Sequence, residues 1–162
     1  MSSGTSPLLD ELRAHARRLL AGRIDEFADF APFLSAAPPL KLNLAKVTSI
    51  NSIGVRKFLE FIMKWAPKKF ELYDCPADFI SNVNVIPQML GHPSDPSNIK
   101  SFYVPYECGQ CKALETRLLQ PKQVKFGPAG EPILPPTKCT KCSEPLVFDA
   151  ADADFFAFLE KR

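Results

Sequence analysis

No stretch of this 162-residue chain stays apolar for the roughly 18–20 positions that a membrane-spanning helix needs. The segment from Met1 to Pro7 is polar and lacks the basic-then-apolar design of a secretory signal. A cytoplasmic protein with no membrane partner is therefore expected. Glycine is scarce, at seven residues, and the Gly127–Pro132 stretch holds too few to cradle a phosphate. Histidine occurs twice, at His15 and His92, far apart and without the spacing of a catalytic triad or a histidine metal site. These gaps argue against an enzyme. Charge of one sign is lacking too. Residues 1–107 carry 12 basic and 11 acidic side chains, and residues 108–162 carry 8 and 7. A nucleic-acid binder concentrates its basic residues, so a nucleic-acid partner is not expected.

Hydrophobic residues make up 46 % of the chain, enough for a packed core. Its five cysteines carry the sharpest chemical signal. Four fall into the pairs Cys108-Gly109-Gln110-Cys111 and Cys139-Thr140-Lys141-Cys142, separated by 27 residues. Two residues between paired cysteines let one tight backbone knuckle aim both sulfurs at one ion, and two knuckles complete a tetrahedron. The spacing predicts a structural Zn2+ site with Cys108, Cys111, Cys139 and Cys142 as ligands. Four thiolates leave no position for a catalytic water. Gly109 is expected to permit the sharp turn of the first knuckle, and Lys112, Lys138 and Lys141 to offset the charge of the centre. Cys75, unpaired in sequence, is expected to be buried as a small apolar side chain.

Two rival readings of this region exist. Cys108-Gly109-Gln110-Cys111, placed after a strand and before a helix, would suit a thiol-disulfide oxidoreductase with Cys108 as an exposed nucleophile of lowered pKa. Alternatively, a ribbon presenting Lys122, Lys125, Lys138 and Lys141 would suit binding to nucleic acid or the transcription machinery. Paired disulfides are disfavoured in the cytoplasm.

Periodicity supplies the rest of the organisation. A short helix is expected over residues 25–34, with Phe27, Phe30, Phe33 and Leu34 on one face. Leu40 to Leu44 alternates as a half-buried strand. Asn51-Ser52-Ile53-Gly54 then opens the best amphipathic helix, with Val55, Phe58, Leu59 and Ile62 inward and Ser52 as its N-cap. Trp65 is expected in the core, and Pro67 ends the helix. Phe70 to Tyr73 reads as a strand and Cys75-Pro76 as the start of a second helix, with Pro76 at its first position and Phe79, Ile80 and Val83 inward. Ile99 to Tyr106, Leu114 to Leu119 and Leu146 to Phe148 read as strands. Asp149 to Arg162 is expected to be a terminal helix with Asp149, Asp152 and Asp154 near its N-terminus. Strand–helix–strand–helix–strand over residues 40–107 is an α/β layout.

The run from Leu42 to Leu59, with Asn51-Ser52-Ile53-Gly54 at its centre, resembles the STAS family, the domain of anti-sigma factor antagonists and sulphate-transporter tails. In that family a strand of the form L-x-L-x-x-V leads into Asp-Ser-x-Gly and a helix, and the serine is phosphorylated by a partner kinase. Ala21-Gly22-Arg23-Ile24-Asp25 is similar to the family's first strand. Asn51 stands where the family has aspartate. The resemblance covers residues 14–106 and implies a bacterial signalling protein with a STAS-like sheet and helices. It implies a switch at Ser52 and a partner-binding surface formed by Asn51, Ile53, Gly54, Arg56 and Lys57. Phosphate at a helix N-terminus is electrostatically favoured, and Arg56 and Lys57 lie one turn on. The expected organisation is a leader over 1–13, a STAS-like α/β domain over 14–106, and a zinc ribbon with terminal helix over 107–162. The ribbon is expected to pack on the first domain. The expected function is a non-enzymatic regulatory module that binds a protein partner, a regulator or kinase-like protein.

Overall fold

The computed structural model describes residues 17–65, 67–149 and 154–160. The expected leader lies outside them. Strands β1 (Arg18–Ile24), β2 (Leu40–Ile50) and β3 (Phe70–Tyr73) form a parallel sheet in that order. Helix α1 (Ser52–Trp65) links β2 to β3, and α2 (Ala77–Val85) follows β3. Such crossovers are what allow neighbouring strands to run parallel. The mixed α/β class is thus as expected, with β2 extending well beyond Leu44.

One face of this sheet is buried. Leu40, Leu42, Leu44 and Leu72 are at most 1 % exposed and pack against the apolar stripes of both helices. Phe58 of α1 meets Phe79 of α2 edge-on at 5.4 Å, and Phe30 stacks on Phe61 at 5.2 Å. Trp65 is buried, its indole N–H donating to the Lys69 carbonyl at 3.1 Å. The other face carries the register row Leu19–Asn43–Tyr73, with the Arg17 guanidinium 3.7 Å from the Tyr73 ring centre.

Beyond β3 the parallel order continues through single bridges, Leu72 to Ile99 and Cys75 to Phe102. The chain then enters β4 (Phe102–Cys108), which lies between β5 (Leu114–Leu119) and β8 (Leu146–Phe148) in an antiparallel sheet. A small hairpin of β6 (Lys125–Phe126) and β7 (Pro132–Ile133) brackets the Gly127–Glu131 turn. The expected strand from Ile99 thus starts three residues later and runs to the first cysteine. The boundary expected at 106/107 falls inside β4, so the two regions share a strand.

Three expectations are corrected. Residues 25–34 form turns and a short 3₁₀ segment, Ala31–Phe33, and Phe27 is 84 % exposed. Asp25 and Asp29 accept the backbone N–H groups of Phe27 and Ala31 at 3.0 Å, local bonds that compete with a helix, and Pro32 falls within the segment. Pro76 is the N-cap of α2 in extended backbone, one position before the helix. The described part of the terminal helix, residues 154–160, is a turn followed by a 3₁₀ segment, Ala157–Leu159. Asp152 lies outside the described residues. Phe155, Phe156 and Phe158 are all buried. The Asn84 side chain holds this segment instead, donating to the Phe155 carbonyl at 2.8 Å and accepting from the Phe158 N–H at 2.9 Å.

Candidate metal centre

The two cysteine knuckles are built alike. Cys108 ends β4, and its carbonyl accepts the Lys112 N–H at 3.0 Å while its N–H donates to the Ala113 carbonyl at 2.9 Å. Thirty-one positions on, the Cys139 carbonyl accepts the Ser143 N–H at 3.0 Å and the Cys139 N–H donates to the Glu144 carbonyl at 2.8 Å. The residue after each second cysteine closes its turn in the left-handed region, Lys112 at φ 58° and Ser143 at φ 64°. Gly109 is not needed for that conformation. It has no positive φ, and nothing lies within 4 Å of where its Cβ would be.

The knuckles bring the four sulfurs within 4.8 Å of one another, with Cys108 to Cys142 at 3.4 Å and Cys111 to Cys139 at 3.6 Å. A disulfide needs sulfurs about 2 Å apart, so these separations exclude that bond. A tetrahedral ion with metal–sulfur bonds of about 2.3 Å sets its sulfurs about 3.8 Å apart, within the observed span. The four cysteines can hold a metal ion. Cys108 and Cys139 are buried, Cys142 is half-buried and Cys111 is exposed. The Cys111 backbone N–H, together with other donors, lowers the Cys108 thiol to about 7. Cys142 goes the other way. The Glu144 backbone opposes the rise, but bonds to Cys108 and neighbouring thiols, with burial, carry it to about 12. The Lys141 N–H reaches Cys139 Sγ at 3.4 Å.

Of the flanking lysines, Lys112 pairs with Glu107 at 3.5 Å, and Lys138 and Lys141 are exposed. The placement expected for an oxidoreductase is absent. Cys108 is buried, and the chain runs on through a turn into β5 rather than into a helix. Cys75 is buried as expected, and burial pushes its thiol pKa far up.

A pair that sequence reading passed over sits beside the second knuckle. In β5, Leu114 and Leu118 are 74 % and 46 % exposed, while the Glu115 and Arg117 side chains are only 10 % and 26 % exposed. The strand presents Leu114 and Leu118 outward and its charges inward. Glu115 and Arg117 pair closely, and the Arg117 guanidinium, with Thr140, holds the Glu115 carboxyl down at about 2. The signal was the alternation L-E-T-R-L-L in a region without a core of its own. Nearby, burial raises the Tyr106 hydroxyl pKa, and that hydroxyl has no partner among the described residues.

At the start of α1 the structure redistributes the expected roles. The N-cap is Asn51, whose Oδ1 accepts the Gly54 N–H at 2.8 Å, and Ser52 is the first helical residue, not the cap. Ser52 is exposed and its hydroxyl has no partner among the described residues. Gly54 is buried and so does not belong to a surface. A Cβ on it would lie 1.8 Å from the Ile24 carbonyl oxygen, so this glycine lets α1 press onto the end of β1. Lys57 donates to the carbonyls of Glu26 and Ala28, the latter at 3.1 Å. Asn51 and Arg56 are exposed, and Ile53 is 40 % exposed.

No protein-family model, curated protein or solved structure matches the chain. No helix among the described residues is long and apolar enough to cross a membrane.

Proposed function

We propose that the chain is a non-enzymatic regulatory module that binds a protein partner through the start of α1, with a structural Zn2+ ion holding its ribbon. The observation that carries the binding part is the exposed end of the parallel sheet. There Ser52 offers an unpartnered hydroxyl on the first turn of a 14-residue helix, near the 84 %-exposed Phe27. The Phe27 turn is joined to α1 by Lys57 and by the contact of Asn51 Nδ2 with Glu26 Oε2 at 3.3 Å. Phosphorylation of Ser52 would add about −1.5 to −2 charges at this junction. The new charge would draw on Arg56, compete for Lys57 with the Glu26 and Ala28 carbonyls, and repel the Glu26 carboxylate. In this reading the modification changes how Phe27 is presented to the partner. The STAS-like sequence of the turn supports it.

For the metal, an all-thiolate set of four suits Zn2+ and fills its coordination, which gives the ion a structural task. The test is affinity capture with wild type, Ser52→Ala and Ser52→Asp, joined to metal analysis of the freshly purified reduced protein. Partners lost with Ser52→Asp and kept with Ser52→Ala are expected. Equal recovery by all three removes the switch, and protein free of zinc removes the metal reading.

A further inference from the structure

The four sulfurs do not explain why β5 turns a carboxylate and a guanidinium inward and leaves two leucines in water. That inversion has a cost, since apolar surface stays hydrated while charges are desolvated. Arg117 donates to the neighbouring Thr116 carbonyl at 2.9 Å, and the rest of the compensation lies on one segment. Glu115 Oε1 accepts the Thr140 N–H at 3.0 Å and the Thr140 hydroxyl at 2.8 Å, and lies 3.3 Å from Cys139 Sγ. Its other oxygen takes Arg117, which also donates to Thr137 Oγ1 at 3.2 Å and to the Lys138 carbonyl at 2.9 Å. Thr137, Lys138 and Thr140 are thus held by two side chains of one strand, through bonds that do not need the Cys139 proton.

The knuckles differ in their need for such a grip. The first extends from β4, the central strand, which is paired on both sides. The second arrives after β5 through residues 120–138, whose strands are the two-residue β6 and β7, and it leads into the three-residue β8. From this difference we infer that Glu115, braced by Arg117, is the positioning residue of the metal centre. It docks the Cys139–Cys142 knuckle against the Cys108–Cys111 knuckle, so that both halves of the site stand ready before the ion arrives. The inference rests on the metal reading above. Partners of this kind, which orient ligands without touching the ion, are worth about 10–100-fold in metal affinity.

The experiment compares full-length wild type, Glu115→Ala, Glu115→Gln and Thr140→Val by Zn2+ competition against a chromophoric chelator, with Co2+ absorption as a second readout. Glu115→Ala is expected to weaken Zn2+ binding about 10–100-fold while leaving the Co2+ bands in place, because all four sulfurs remain. Glu115→Gln keeps an oxygen for Thr140 and is expected to recover part of the loss. A general structural defect would not be relieved in that way. Affinity within twofold of wild type for Glu115→Ala, or a Glu115→Gln as weak as Glu115→Ala, overturns the assignment. If Glu115→Ala does not fold, Thr140→Val decides: a several-fold loss supports the docking role and an unchanged affinity refutes it. Wild type that binds neither Zn2+ nor Co2+ overturns the metal reading, an outcome distinct from a metal-binding wild type whose variants bind equally well.

Discussion

Between Arg18 and Val85 the chain buries Leu42, Leu44, Phe58, Trp65, Leu72, Phe79 and Ile80 almost completely, in a layer of two helices on three parallel strands. Between Ala113 and Phe148 the buried apolar residues are few, among them Leu119, Val124 and Leu146, and Leu114, Leu118, Ile133 and Val147 face water. The first region is held by apolar burial and aromatic contacts. The second is held by four converging sulfurs and a charged clamp. Small segments bury too little surface to stand alone, so the proposed ion would stabilise the ribbon where the α/β layer relies on its own core. The shared strand β4 shows the contrast residue by residue: Phe102 and Val104 are fully buried in the common core, and Cys108 ends the strand among the four cysteines that can hold a metal ion.

The largest expected effect separates the regions by removing the metal. Binding of a structural zinc ion is worth about 10–16 kcal/mol, comparable to the stability of a whole domain. Chelation, or Cys139→Ser, is expected to unfold the ribbon while Trp65 keeps its buried fluorescence. Thiol counting sharpens this. Native metal-loaded protein should show no fast-reacting thiol, chelated protein four, and protein in denaturant all five, because Cys75 is buried with its pKa raised. Loss of the Trp65 signal together with the ribbon would mean that the two regions fold as one unit.

Next in size is a change confined to the α/β layer. Phe58→Ala removes a fully buried ring in contact with Phe30 and Phe79 and is expected to cost about 3–5 kcal/mol in denaturant unfolding. Zn2+ affinity at the ribbon should stay within about twofold, because distant sites are close to additive. A large fall in affinity would break the comparison from the other side. Smaller again is Asn84→Ala at the joint. It strips the Phe155 carbonyl and the Phe158 N–H of their partners, a loss of about 1–3 kcal/mol. Faster proteolysis within residues 154–160 is the measurement, with both regions otherwise intact.

The parts of the fold written in local periodicity were legible. Leu40-x-Leu42-x-Leu44 and the 3–4 spacing from Val55 to Ile62 each identify one buried face, and that face exists. The cysteine spacing was legible because two knuckles need only local turns to aim their sulfurs. What escaped depends on partners far away in sequence. Gly54 looks like part of an exposed turn until the Ile24 carbonyl, thirty residues earlier, is seen in the space of its Cβ. The segment around Phe155 looks helical until Asn84 takes the Phe155 carbonyl and the Phe158 N–H. Glu115 and Arg117 look like a solvated face, and only the second knuckle explains why they point inward.

The smallest expected effect concerns the open face of the parallel sheet, which resembles the ribbon in leaving apolar side chains such as Leu19 in water. Tyr73 lies on it beneath Arg17, its hydroxyl donating to Glu71 Oε2 at 2.6 Å. Burial, then the bond to Glu71 and its charge, push the Tyr73 phenol up to about 12, against the lesser opposing pull of Arg17. A folded-state value above the unfolded value of about 10 means that the neutral phenol is the form the fold favours. Its contribution is therefore complete below about pH 10 and is lost as the pH rises from about 10 toward 12. Ultraviolet titration should show Tyr73 ionising near 12 in wild type. In Glu71→Gln, which removes the negative charge, it should ionise at lower pH with stability at neutral pH almost unchanged. A Tyr73 that titrates at the ordinary value in wild type would mean that Arg17 and Glu71 do not enclose it. This face would then be as open as the outer face of β5.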